Sequence, residues 1–117
     1  MATLTVTNDE IVERVDFTYA SSSPFTLYNL LAGDDITEVK LVITTAFDDP
    51  SSTVQIGTVA TPGLVFDTNE SDVTKANCQW TSFTIYEIAV NEILRLLITP
   101  GTSTQGAGYV LFTIRRA

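Results

Sequence analysis

Apolar residues recur at every second position from Val39 onward, which is the spacing of a β-strand rather than of a helix. One face of this segment carries the apolar side chains, and Thr45 is its only polar interruption. The apolar residues are Val39, Leu41, Ile43 and Phe47. Residues 48–52, two Asp, a Pro and two Ser, are typical of a turn, because Asp and Ser bond their own backbone and Pro fixes φ. The pattern predicts a β-hairpin in which residues 39–47 pair with residues 53–57.

Similar patterns predict six further strands along the chain, whose ranges are given at the end of this paragraph. Residues 86–97 also fit a helix, but Pro100 and Gly101 follow closely and Val90-Asn91 suits a turn, so a strand is favoured from residue 92. With the hairpin, this gives about eight strands. The additional segments are residues 3–7, 11–19, 25–31, 78–85, 92–99 and 109–114.

Short strands separated by frequent turn signals predict an all-β fold, an antiparallel β-sandwich of jelly-roll-like order. An immunoglobulin-like sandwich is the alternative, although Cys78 is the only cysteine and the Cys, Trp, Cys spacing of that family is therefore absent. Residues 1–117 are expected to form a single domain, with residues 1–8 an N-terminal arm or edge strand. The expected core contains Trp80, Phe47, Leu41, Ile43, Leu96 and Phe112.

The composition predicts a soluble globular chain. Hydrophobic residues make up 44% and charged residues 17%, and no apolar run approaches the roughly 18 residues of a membrane-spanning helix. The first residues lack the basic and apolar regions of a signal peptide, so we expect a protein made and kept in a cytosol, or released by lysis. A single cysteine and no histidine exclude an internal disulfide and a Cys–His nucleophile.

The charge is acidic and unevenly distributed. The formal net charge is −8, and residues 1–50 carry nine acids against only Arg14 and Lys40. A nucleic-acid partner is not expected, because binding a phosphate backbone requires a basic patch and the only basic cluster is Arg115-Arg116. We expect that cluster to meet an acidic surface of a neighbouring subunit, and the N-terminal segment to pair with a neighbour's sheet edge. The predicted partner-binding residues are Thr3, Leu4, Thr5, Val6, Arg115 and Arg116.

Few residues suggest catalysis or ligand binding. The adjacent acids 34–35 and 48–49 stand in turns, where Asp is favoured for its backbone bonds. Residues 67–72 resemble the start of a calcium loop, yet Asp72 stands where that loop needs Gly and Cys78 where it needs Glu. Most aromatic residues of a small sandwich belong to its core, which argues against a sugar platform built from Tyr19, Tyr28, Trp80, Tyr86 and Tyr109. We predict no catalytic residue, no cofactor and no metal site.

Two stretches resemble small β-sandwich proteins of tailed-phage virions. The first joins residues 42–48 to residues 54–57, and the second is the closing segment 101–110, rich in Gly and Thr. The family includes capsid decoration (cement) proteins and head- or tail-fibre modules. The matching residues are mostly strand and turn formers, and the family carries no catalytic motif to transfer.

The resemblance implies a structural virion protein that is not an enzyme. Such a protein decorates and stabilises the outer capsid shell by non-covalent binding to the major capsid protein, and it forms a homo-oligomer, a dimer or a trimer. It is expected on the capsid exterior after synthesis in the host bacterial cytoplasm, with no nucleic-acid or membrane partner. The alternative is a tail- or head-fibre module that binds a host receptor or a glycan.

Overall fold

The computed structural model describes residues 10–116, which form eight β-strands and no helix. No helix of this part of the chain is therefore long and apolar enough to cross a membrane. In chain order the strands are β1 (Glu10–Thr18), β2 (Phe25–Leu30), β3 (Asp35–Thr45), β4 (Thr53–Thr58), β5 (Cys78–Ser82), β6 (Tyr86–Glu87), β7 (Glu92–Thr99) and β8 (Ala107–Arg115).

The strands form two antiparallel sheets. The five-stranded sheet has the order β1-β8-β3-β5, with β6 paired to the start of β3, and the three-stranded sheet has the order β2-β7-β4. The predicted antiparallel β-sandwich is confirmed. Within the described residues no two strands adjacent in sequence pair with each other, as they do in the ABED sheet of an immunoglobulin domain. Instead β1 pairs with β8 and β2 with β7, an order that agrees with the jelly-roll-like interpretation.

The predicted hairpin between residues 39–47 and 53–57 is wrong, because β3 and β4 belong to different sheets. β4 pairs with β7, while β3 pairs with β8, β5 and β6. The turn itself is present, since the Ser52 N–H donates to the Asp49 carbonyl oxygen at 3.0 Å. Turn residues determine where the chain bends but not which strand it then meets. Here the bend carries the chain from one sheet to the other.

The core lies between the two sheets and is supplied by alternate residues of each strand. In β8, for example, Val110, Phe112 and Ile114 are all fully buried, as the alternation predicts. Five of the six expected core residues are buried as well. Trp80 is the exception. It stands on β5, which lies at the edge of the five-stranded sheet, so part of its ring stays exposed. It packs against the core while half-buried.

The strand predicted from residue 92 is confirmed as β7, and the helical alternative for residues 86–97 is wrong. Leu94, Leu96 and Ile98 point into the core, while Ile93 on the other face is exposed. The regular alternation of β7 follows because one face of its sheet packs on the core and the other faces solvent. The predicted arm at residues 1–8 lies outside the described residues.

Candidate functional site

The loops of the sandwich gather at two opposite ends. β3 runs from Asp35 at one end to Thr45 at the other, and the remaining strands are antiparallel to their neighbours. The first end exposes apolar side chains, and we call it the apolar end (Leu31, Phe83, Ile85, Val90 and Ile93). The second is held by carboxylate and hydroxyl groups, and we call it the polar end (Asp48, Asp49, Thr102, Ser103 and Thr104).

The apolar end combines two neighbouring turns with the segment between β5 and β6. Phe83 is 71% exposed and Val90 62% exposed, which is unusual for side chains of this size in a chain with a well-filled core. Residues 83–85 are held on both sides by strands paired to β3, at Ser82–Val39 and Tyr86–Ile36. The exposed side chains therefore stand on a backbone that the sheet positions.

Asp34 organises the turns beneath this surface. Its side chain is buried, and its Oδ2 accepts a hydrogen bond from the Leu31 N–H at 2.8 Å. Its carbonyl oxygen accepts from the Ile88 N–H at 2.9 Å, and the nearby Ala32 N–H donates to Asn91 Oδ1 at 2.9 Å. These bonds tie the β2–β3 turn to the β6–β7 turn. Apolar residues of both turns consequently belong to one end of the molecule.

The two C-terminal arginines lie at the same end and contact acids of their own chain. Arg115 forms an ion pair with Asp35 at 2.7 Å, and hydrogen bonding to that carboxylate raises the pKa of Arg115. Arg116 donates to the Tyr28 hydroxyl and lies 3.9 Å from the Asp34 carboxylate. Arg115 stays half-exposed, so these contacts leave its outer side open. The other predicted partner-binding residues, Thr3, Leu4, Thr5 and Val6, lie outside the described residues.

The polar end is closed by two carboxylates. Asp48 accepts from the Thr104 N–H and hydroxyl, both at 2.7 Å, and Asp49 Oδ2 accepts from the Thr102 N–H at 2.7 Å. The Asp49 N–H donates in return to Ser103 Oγ at 3.0 Å. These bonds stabilise the ionised carboxylates: the Thr104 hydroxyl lowers the pKa of Asp48, and the Thr102 amide lowers the pKa of Asp49. Both acids therefore act as ties between loops.

The sheet edges differ in how they end. The outer side of β4 is covered, since Ile56 exchanges backbone hydrogen bonds with Phe66 at 2.9 and 3.1 Å. A side chain at Gly57 would meet the Thr61 carbonyl oxygen at 2.3 Å, so glycine is required for this close approach. The outer side of β1, in contrast, has no strand partner among residues 10–116.

Comparison with known proteins relates this architecture to two solved structures. A chain of the acidic stable capsid structure of Helicobacter pylori bacteriophage KHP30 matches with a TM-score of 0.73 and 15% identity, over 94% of this chain and 90% of that chain. A chain of the cyanophage Pam1 capsid asymmetric unit matches with a TM-score of 0.65 and 16% identity, over 100% of this chain and 93% of that chain. These likenesses establish the fold. No protein-family model and no curated protein matches the chain.

The residues weighed for chemistry take part in local structure. In the 67–72 segment, Asp67 accepts from Gln55 Nε2 at 2.7 Å and Asp72 accepts from the Thr74 N–H at 3.0 Å. Residues 10–116 contain no cluster of three metal-ligating side chains and no pocket. Four of the five aromatic residues considered for sugar stacking pack against the core, and Arg14 lies 3.7 Å over the ring of the fifth, Tyr109.

Sequence reasoning did not identify the apolar end. Phe83 and Ile85 were assigned to a strand over residues 78–85, where large apolar residues indicate burial. The strand in fact ends at Ser82, and residues 83–85 leave the ladder before β6 begins. Alternation nevertheless places Phe83 and Ile85 on the face of that predicted strand opposite Trp80, so the sequence carries a signal that these two side chains point away from the core.

Proposed function

We propose that this chain is a structural protein of a tailed-phage virion that decorates and stabilises the outer capsid shell by binding the major capsid protein without covalent bonds. The observation that carries the proposal is the likeness of nearly the whole chain to chains of two phage capsid structures. Since both chains are covered almost completely in each comparison, the likeness concerns the entire fold rather than one supersecondary motif. The resemblance of residues 42–48 and 101–110 to virion proteins supports the same class of function.

The apolar end is the surface proposed to contact the capsid. Five exposed apolar side chains lie there, four on the turns held by Asp34 and on the segment held by β3, and Ile93 at the start of β7. Burying them against a partner would be favourable by about 25 cal/mol for each Å² of apolar surface. Weak contacts of this kind gain strength when they are repeated over a symmetric lattice, because each bound copy raises the effective concentration of the next. Binding by apolar burial should depend little on salt.

The proposed protein acts as a homo-oligomer on the capsid exterior and performs no catalysis. Thr3 to Val6 remain the segment proposed to extend a neighbour's sheet, because their alternating sequence suits an edge strand. Arg115 is proposed to contact an acidic neighbour through its open side, in addition to its ion pair with Asp35. Arg116 is proposed as a weaker contributor, since its charge is already close to Asp34 and Tyr28.

The experiment adds purified protein to undecorated capsids and measures occupancy by particle imaging and resistance of the particles to heat. We expect wild-type protein to bind, and the variant Phe83→Ser/Val90→Ser to lose most of its occupancy while keeping its fold. Gln105→Ser is the matched surface control, because Gln105 is exposed in the loop of the polar end. Its occupancy should equal that of the wild type.

Two results would contradict the proposal. One is wild-type protein that leaves the capsids bare at every concentration tested. The other is retention of a glycan on an array by protein that does not bind capsids, which would assign the chain to the fibre modules instead. Full occupancy by Phe83→Ser/Val90→Ser would keep the virion role but remove the apolar end from the contact.

A further inference from the structure

β1 is the longest open strand edge of the described sandwich. It pairs with β8 in an unbroken register over nine residues, from Glu10–Arg115 to Thr18–Ala107. The other edges are less suited to pairing: β5 has five residues, β2 contains a register shift between Thr26 and Tyr28, and β4 is covered by Phe66. A long, regular edge with free backbone groups is the feature that pairs with another strand.

Two hydrogen bonds show which residues of β1 direct their backbone groups toward the open side. The Tyr19 N–H donates to the Gly106 carbonyl oxygen at 2.9 Å, so this position faces β8. The Thr18 N–H faces away from β8 and is bonded to Ser21 Oγ at 2.9 Å. In an antiparallel ladder these directions alternate. Residues 10, 12, 14 and 16 therefore present their N–H and C=O groups at the open edge, where no described residue accepts or donates.

The side chains of this edge are complementary to themselves. Glu10, Val12 and Arg14 lie on the outer face of the sheet at two-residue intervals, and Val12 is 61% exposed. If two β1 strands pair antiparallel with Val12 opposite Val12, Glu10 of each copy stands directly opposite Arg14 of the other. On the inner face Glu13 then stands opposite Ile11. Shifting one strand by two residues in one direction would place Glu10 opposite Asp16, and shifting it by two in the other direction would place Glu10 opposite Val12, so both shifts lose the ion pairs.

We propose that the open edge of β1 binds β1 of a second copy of this chain, in the antiparallel register centred on Val12. The contact is isologous, so one two-fold axis relates the copies and the five-stranded sheet continues from one into the other. Backbone hydrogen bonds supply the pairing, and two Glu10–Arg14 ion pairs and one Val12–Val12 contact fix the register. This interface specifies one contact of the homo-oligomer in the proposed function, and it rests on the proposed function only for the existence of that oligomer. It involves no capsid contact.

The test is sedimentation of the full chain over a range of concentrations. Wild-type protein should form a concentration-dependent dimer. Glu10→Arg and Arg14→Glu should each raise the dimer dissociation constant about tenfold or more, because each places like charges opposite each other twice. Mixing the two variants should restore the dimer as a heterodimer, since every cross-strand pair then joins opposite charges. The double variant Glu10→Arg/Arg14→Glu should dimerise with itself for the same reason.

Lys75→Glu is the control for net charge, because it changes the charge as Arg14→Glu does but lies in an exposed loop far along the chain from β1. It should dimerise like the wild type, and circular dichroism should show the same strand content for every variant. A wild-type chain that stays monomeric, a mixture that fails to restore the dimer, or a dimer abolished by deleting residues 1–7 but insensitive to Arg14→Glu would overturn the inference. None of these measurements requires a capsid, so failure of capsid binding in the earlier experiment remains a separate result.

Discussion

The two ends of the sandwich use their loops in opposite ways. At the polar end, Asp48 and Asp49 bond to Thr104 and Thr102, so the loop groups satisfy one another. At the apolar end, the polar groups of the turns are also bonded, chiefly through Asp34, but Phe83 and Val90 remain in solvent. The turns of both ends are therefore tied by hydrogen bonds. Only one end leaves apolar surface whose burial would release further free energy.

This difference teaches that loop order and exposed apolar surface can coexist. Exposed apolar side chains on an untied loop would lose conformational entropy on binding, whereas those on a tied turn have already lost it during folding. The segment 83–85 stands between two residues paired to β3, and Val90 stands beside Asn91, which binds Ala32. Burying the apolar end would therefore cost little further conformational entropy, whereas the loop groups of the polar end are already hydrogen-bonded to one another.

The largest expected difference between the ends comes from the same residue type at each. Phe47 at the polar end is 2% exposed, and Phe47→Ala should lower the free energy of unfolding by about 3–5 kcal/mol. Phe83→Ala at the apolar end should change it by less than about 0.5 kcal/mol, because the ring contributes little to the core. Urea unfolding of both variants measures the two values. Equal losses would show that Phe83 packs on the chain in solution.

A smaller loss is expected from Gly106→Ala beside Phe47. Gly106 has a φ of 150°, and an added Cβ would lie 2.6 Å from the Phe47 ring. Such overpacking costs about 1–3 kcal/mol. The double variant Phe47→Leu/Gly106→Ala should cost less than the sum of its single variants, because a smaller side chain leaves room for the methyl group. Additive losses of unfolding free energy would show that the backbone angle of Gly106, rather than the contact with the Phe47 ring, causes the destabilisation.

The polar end should also make stability depend on acid. The ordinary carboxyl pKa of 3.8 is lowered for Asp48 and Asp49 in the folded chain, so their contribution is fully present above pH 3.8 and is lost as the pH falls through the folded values. The urea concentration at the unfolding midpoint of the wild-type protein should therefore decrease when the pH is lowered below about 4. Asp48→Asn/Asp49→Asn should be less stable at pH 7 and should show a shallower acid drop. The exposed control Glu13→Gln should follow the wild-type curve.

The smallest effect on folding is expected at the apolar end. Phe83→Ser/Val90→Ser should leave the free energy of unfolding within about 0.5 kcal/mol of the wild type, since both side chains are mostly in solvent. The same variant should elute earlier from a hydrophobic-interaction column, because less apolar surface is available to the matrix. Unchanged elution would show that these side chains do not form an accessible surface.

Sequence reasoning succeeded where the alternation within one strand is enough to predict its bounds and its buried face. The alternation of Val110, Phe112 and Ile114 predicted the buried face of β8, and β7 was predicted from Glu92 to Thr99 with the bounds observed. It failed where the answer lies in another part of the chain. Residues 48–52 predicted a turn, but not that Asp48 and Asp49 bind the loop 102–104 or that β4 joins the other sheet.

The candidate site was the harder part for the same reason. Arg115 was identified from its charge, but its partner Asp35 is 80 residues away in the sequence. Exposure of Phe83 agrees with its position opposite Trp80 in the alternation, but no local pattern indicates that the ladder of β5 with β3 ends at Ser82. Strand alternation also looks the same in edge and central strands, so the open side of β1 was not visible before the sheet order was known.

The pairing of β1 with β8 has a consequence for how the chain folds. Glu10 meets Arg115, so the first described strand finds its partner only after almost the whole chain has left the ribosome. β2 likewise pairs with the late strand β7, while β3 can pair with β5 and β6 before β8 is available. Closing long loops of this kind slows folding, and sandwiches rich in non-local pairings fold in roughly milliseconds to seconds. Until β8 is available, β1 lacks the one strand it pairs with among residues 10–116, so the nascent chain is most prone to misassembly in the interval before its last strand emerges.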